Sequence, residues 1–113
     1  MKEYEFNDCE VCTNPDVIAS HVHPFGKNNV LVAWEIEVAE TAGGWVYGCG
    51  YISPGDCGMV SFSTPCASVG KKYPTRRQSI IAAARELLHE EATEDRESLR
   101  RLIFEQKELN LFE

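Results

Sequence analysis

Between Val30 and Val38 apolar and charged residues alternate: Val30, Val32, Trp34, Ile36 and Val38 fall on one side, Glu35 and Glu37 on the other. A period of two predicts a half-buried antiparallel strand. Thr41-Ala42-Gly43-Gly44 then supplies the positive-φ residues of a hairpin turn. The next strand, Trp45 to Ile52, sets Trp45, Tyr47, Cys49 and Tyr51 against Val46, Gly48, Gly50 and Ile52. Glycines inside a strand mark a bulge or a close approach of another backbone. A second turn spans Ser53 to Gly58, and Met59 to Thr64 reads as a third strand ended by Pro65.

The period then changes. Thr75 and Gln78 have capping-box spacing, and Ile80, Ile81, Ala84, Leu87 and Leu88 line one face of a helix from Thr75 to His89. Leu99, Leu102 and Ile103 form the stripe of a second helix resuming from Thr93, with Glu97 and Arg101 as an i,i+4 pair. The acids Glu90, Glu91, Glu94 and Asp95 suit a new helix start and favour a break between the two. Lys2 to Phe6 reads as an edge strand, and Asn14-Pro15-Asp16 as the start of a short helix ending before Pro24. The fold class expected is α+β: an antiparallel sheet of three to four strands packed by one long helix, with a second C-terminal helix. Residues 1–28 form an N-terminal segment, 29–92 the β-β-β-α core and 93–113 the C-terminal helix and tail.

At 113 residues the chain has room for a single core. No apolar run approaches the ~20 residues of a membrane span, and the first residues lack the apolar stretch of a signal peptide, so the expected location is cytoplasmic. Five cysteines, an odd number, point to thiols or a metal site rather than a disulfide framework. The net charge of −7 opposes broad adhesion to nucleic acid or anionic membrane. Yet Lys71, Lys72, Arg76, Arg77 and Arg85 lie in a stretch free of acids, so the total conceals a local basic patch.

Two stretches resemble known families. Glu108-Leu109-Asn110-Leu111-Phe112 is similar to the short tail by which many bacterial and phage proteins bind the replication sliding clamp, with Glu108 where glutamine is usual. Gln106, Leu109 and Phe112 also match the glutamine, aliphatic and aromatic positions of the eukaryotic and archaeal clamp-binding box, although Glu113 stands where that box has its second aromatic. The resemblance implies a protein partner held by Gln106, Leu109, Leu111 and Phe112, on a tail that orders as it docks. Gly70-Lys71-Lys72, Arg76-Arg77 and Ala82-Ala83-Ala84 after three strands resemble the double-stranded-RNA-binding-domain fold, which implies phosphate contacts from Lys71, Lys72, Arg76 and Arg77. In that family the lysines lie directly at the helix start, whereas Tyr73-Pro74 intervenes here. Gly44-Trp45, Gly48, Gly50 and Tyr73-Pro74-Thr75-Arg76 are also similar to small domains of plasmid and phage proteins, which implies a mobile-element setting.

Cys9-Glu10-Val11-Cys12 has the spacing that lets two thiolates share a tetrahedral zinc, and His21 and His23 on one strand face would complete the set. The bland reading is one buried thiol, one exposed thiol and two surface histidines. Cys49, Cys57 and Cys66 read as small apolar residues, and pairing Asp56-Cys57-Gly58 with His89 for nucleophilic chemistry has nothing in the sequence to support it. Glu35 and Glu37 read as a solvated face, and Trp34, Trp45, Tyr47 and Tyr51 as core rather than as stacking surfaces for bases. The function expected is that of a non-catalytic accessory or adaptor protein binding a macromolecule such as the sliding clamp. Its alternatives are a nucleic-acid-binding module and a zinc-stabilised interaction domain.

Overall fold

A computed structural model describes residues 3–22, 31–52, 59–68, 70–90 and 95–110. Four strands and two helices follow in the order β1 (Asp16–Val22), β2 (Leu31–Thr41), β3 (Gly44–Ile52), β4 (Met59–Phe62), α1 (Arg76–His89) and α2 (Arg96–Asn110). The strands form one antiparallel sheet in the order β1-β2-β3-β4, so each pairs with its neighbour in sequence. The α+β class and the antiparallel sheet agree with the alternation read above.

β1 replaces the short helix expected after Asn14. Val17, Ile18 and Val22 are β-branched, and Asp16 to Val22 pairs along β2 from Val38 back to Leu31. The Asn14 side chain is used differently from a helix cap: its Oδ1 accepts from the Glu5 N–H at 2.6 Å, and its amide donates to the Glu3 carbonyl at 2.9 Å. Those bonds tie down an irregular N-terminal segment rather than the edge strand expected over Lys2–Phe6. Among the described residues of that stretch, Phe6 alone makes a ladder contact, with Cys12.

The alternation in β2 and β3 decides what covers each face. Trp34, Ile36 and Val38, with Cys49 and Tyr51, lie under α1, whose Ile80, Ala83, Ala84 and Leu87 complete the main core. Ala33 joins that core although it has the parity of Glu35, because the register slips between Ser20 and His21 and leaves Ala33 as the extra residue of a bulge. On the opposite face Cys12, Ala39 and Val46 form a second cluster roofed by Tyr4 and Phe6. The N-terminal segment is thus the lid of the second face, and Cys12 N–H to the Pro65 carbonyl and Ala67 N–H to the Glu10 carbonyl fasten it to the chain after β4.

Thr75 caps α1, its side chain accepting from the Gln78 N–H at 3.2 Å. The break between the helices stands where the acids suggested. Arg96 closes it by donating to the carbonyls of Leu88 and Glu90, which the end of α1 leaves unpaired. α2 packs along α1 and sends Leu99 into the main core, so the C-terminal helix belongs to the same folded unit. The Trp34 indole N–H donates to the Asp95 carbonyl at 3.3 Å and Ser98 Oγ at 3.1 Å, anchoring the start of α2 to the sheet. The ion pair on α2 joins Glu97 to Arg100 at 3.9 Å, not to Arg101 as the i,i+4 spacing suggested. Among the described residues no helix is long and apolar enough to cross a membrane.

Candidate functional site

Two glycines prepare the ground for a cleft beside α1. Gly44 has φ +133°, and a Cβ there would come within 2.8 Å of the Tyr73 carbonyl oxygen. That approach lets Tyr73 pair with Trp45 by two backbone hydrogen bonds, 2.7 and 2.8 Å long, on the edge of β3 not taken by β2. Gly48 serves a parallel purpose, since a Cβ there would lie 2.2 Å from the Ser63 carbonyl oxygen. Ser63 answers by binding Cys49 through both its backbone N–H and its hydroxyl.

With Tyr73 fixed, the residues on either side of it are placed. Pro74 and Thr75 launch α1, and Lys71 folds back so that its ammonium sits 5.3 Å from the centre of the Tyr73 ring. Lys71 and Tyr73 then form one wall of a cleft of about 310 Å³, with Gln78, Ile81, Ala82 and Arg85 of α1 and Lys107 of α2 as the others. Three cations from three separate segments converge on it, and the described residues that line it include no carboxylate. Among the described residues none of the three has a carboxylate within salt-bridge distance. Ile81 and Ala82, half-buried, give the cleft an apolar floor.

The four cations expected to contact phosphate therefore separate. Lys71 enters the cleft, while the stem of Lys72 packs over the hairpin turn at Gly43 and Gly44. Arg76 binds Asp16 at 3.3 Å, and Asp16 also accepts from the Tyr4 hydroxyl. Arg77 is half-buried. Arg85 and Lys107 were missed as members of the site. The sequence did hold half of the signal, because Gln78, Ile81, Ala82 and Arg85 have the spacing of one helical face. Lys107 joins them only because α2 returns antiparallel along α1, which no spacing encodes.

A second cleft, of about 260 Å³, opens on β3 and the C-terminal half of α1, lined by Cys49, Gly50, Tyr51, Ser63, Glu86, Leu87 and Glu90. Cys49 is more than the small apolar residue expected: its thiol donates to Glu86 Oε2 at 2.7 Å. Burial, and then that hydrogen bond, raise the Cys49 pKa, which keeps the sulfur protonated and a poor nucleophile. Tyr51 donates to Glu90 at 3.4 Å, and burial followed by the Glu90 charge raises its pKa as well. Tyr47 is raised by burial and then by Glu86. These groups hold their protons and brace α1 against β3.

The zinc ligands proposed above fare unevenly. Cys9 is exposed, whereas Cys12 is buried in the second cluster with its thiol toward Asn14 Oδ1 at 3.5 Å. His21 pairs through its backbone with Val32 on β2, and His23 lies outside the described residues. Among the described residues no group of three or more metal-ligating side chains is gathered. Asp56 and Cys57 also lie outside the described residues, and His89 is exposed at the end of α1. Trp34 and Tyr51 are buried, with Trp45 and Tyr47 packed against the same core, as expected of core rather than stacking aromatics.

At the C-terminal end, α2 runs to Asn110, so Gln106 to Asn110 are helical rather than part of an extended tail. Gln106, expected to face a partner, is 9% exposed within α2. Phe104, 61% exposed, points to solvent instead. Leu111 and Phe112 lie outside the described residues. No family model, curated protein or solved structure matches the chain.

Proposed function

We propose that this protein is a non-catalytic nucleic-acid-binding module that takes a phosphate of its ligand into the cleft between Lys71, Arg85 and Lys107. One observation carries this reading: in a chain of net charge −7, three cations from three segments share one cleft, and the described residues of its walls include no acid. Phosphate oxygens accept from ammonium and guanidinium groups, and Arg85 offers the planar fork that binds two oxygens at once. Docking of the C-terminal end on a protein such as the sliding clamp is the second reading: Gln106 of the eukaryotic and archaeal box is buried, whereas the bacterial form has Glu108 at its glutamine position.

The test is fluorescence anisotropy with labelled single-stranded and duplex oligonucleotides at low salt. The double variant Arg85→Gln/Lys107→Gln should bind at least about tenfold more weakly than wild type, a difference of about 1.4 kcal/mol. Both side chains are exposed, so the fold should survive, which circular dichroism checks. Equal affinity of the two proteins, or no binding by wild type, would remove the proposal.

A further inference from the structure

The geometry points to a narrower ligand than a continuous strand: we infer that the cleft recognises a terminal phosphate, a phosphomonoester. This rests on the nucleic-acid reading above and deepens it.

Charge balance is the first support. An internal phosphodiester carries one negative charge, whereas a phosphomonoester carries between one and a half and two near neutral pH, by analogy with phosphorylated side chains. Lys71, Arg85 and Lys107 around one cavity exceed what a diester needs and suit the dianion. Gln78 adds an amide donor that brings no further charge.

The second support is that, among the described residues, the aromatic ring at the cleft and two nearby cations are already engaged. Proteins that follow a single strand pair a long basic groove with free aromatic faces on which successive bases stack. Here the Tyr73 ring is already engaged, by the Lys71 ammonium at 5.3 Å and by the Tyr47 ring at 6.0 Å. A base stacking on it would have to displace one or the other. Tyr73 is therefore a positioning residue for Lys71 rather than a platform. Two further cations of the basic run are directed elsewhere, Arg76 to Asp16 and the Lys72 stem to the hairpin turn.

Volume is the third. About 310 Å³ lies at the small end of ligand sites, enough for a phosphate and the sugar attached to it on the Ile81–Ala82 floor. The same chemistry is offered by the phosphorylated end of a strand and by a free nucleoside monophosphate, and affinity separates the two sources.

The experiment compares one oligonucleotide sequence in three forms, phosphorylated at the 5′ end, at the 3′ end and at neither, with a nucleoside 5′-monophosphate and inorganic phosphate as competitors. At least one phosphorylated form should bind tenfold or more tightly than the form with none. Arg85→Gln should erase that preference, while Arg85→Lys restores part of it. Tyr73→Leu should weaken the preference by loosening Lys71, without abolishing it. If the mononucleotide binds as tightly as the best phosphorylated strand, the ligand is a free nucleotide; if the strand binds better, it is a strand end. Either result supports the inference. Equal affinity for all three forms would overturn it and leave the nucleic-acid reading standing, whereas no binding of any form would overturn both.

Discussion

Glu37 lies in the interior alternation of β2 yet carries a charge. It stands opposite Gly48 on one side and Val17 on the other, on the face roofed by the chain at Ser63. One of its carboxylate oxygens is buried and, among the described residues, has no hydrogen-bond partner. Burial, and then the neighbouring charge of Glu35, raise its pKa above the ordinary 4.5. The folded chain thus holds this proton at a pH where the unfolded chain has released it. Stability from this group is present below about pH 4.5 and declines as pH rises through the folded pKa. Glu37→Gln should therefore raise the Tm near neutral pH by roughly 3–6 °C, with the gain vanishing toward pH 4 in thermal scans. A gain that is independent of pH would show that repacking, not charge, is responsible. The sequence placed Glu35 and Glu37 on the same face and still misjudged Glu37 as solvated. Alternation reveals which side a residue takes, but not whether distant chain covers that side. Cys49 has the same history: its face was legible, its partner Glu86 was not.

At the level of elements, strong periodic segments were readable and the N-terminal third was not. β2, the hairpin, β3 and α1 follow from alternation, glycines and the Thr75 cap. β1 was hidden because Asn-Pro is a good helix opening locally, and local spacing does not encode the pairing with β2 that overrides it. The break before α2 was legible from its acids, whereas its anchor was not. Trp34 donates one N–H toward both the Asp95 carbonyl and Ser98 Oγ, and α2 brings Leu99 and Lys107 to their places from that point. Trp34→Phe keeps an aromatic ring and removes the donor. It should cost about 1–3 kcal/mol in urea unfolding and speed amide exchange along α2 more than along α1. Uniform acceleration over both helices would mean that they open as one unit.

Over the whole molecule, charge is segregated rather than balanced. Two carboxylates, Glu86 and Glu90, line one cleft beside α1, and three cations line the other. A single ligand phosphate held in the cleft should give a shallow salt dependence, log K falling with log salt at a slope of roughly −0.7 for a single strand. Arg85→Gln should flatten that slope further in titrations over a salt series. A slope several times steeper would require a long basic track, which the described lining of the cleft does not supply. The basic run at 71–77 was legible as a contact candidate, yet only Lys71 of its members reaches the cleft, because a sequence gives charge density and the fold gives convergence. The meander has one further consequence, which concerns time. Each strand pairs with its neighbour in sequence and α2 returns on α1, so the strand ladders and the helix pair close short loops and form early. Longer closures come later: the bonds of the N-terminal lid from Cys12 to Pro65 and from Glu10 to Ala67 span more than fifty residues, and so do those from Trp34 to Asp95 and Ser98. Their closure entropy is recovered only after the sheet exists. The lid over Ala39 and Val46 and the anchor of α2 should accordingly fold after the sheet and open before it.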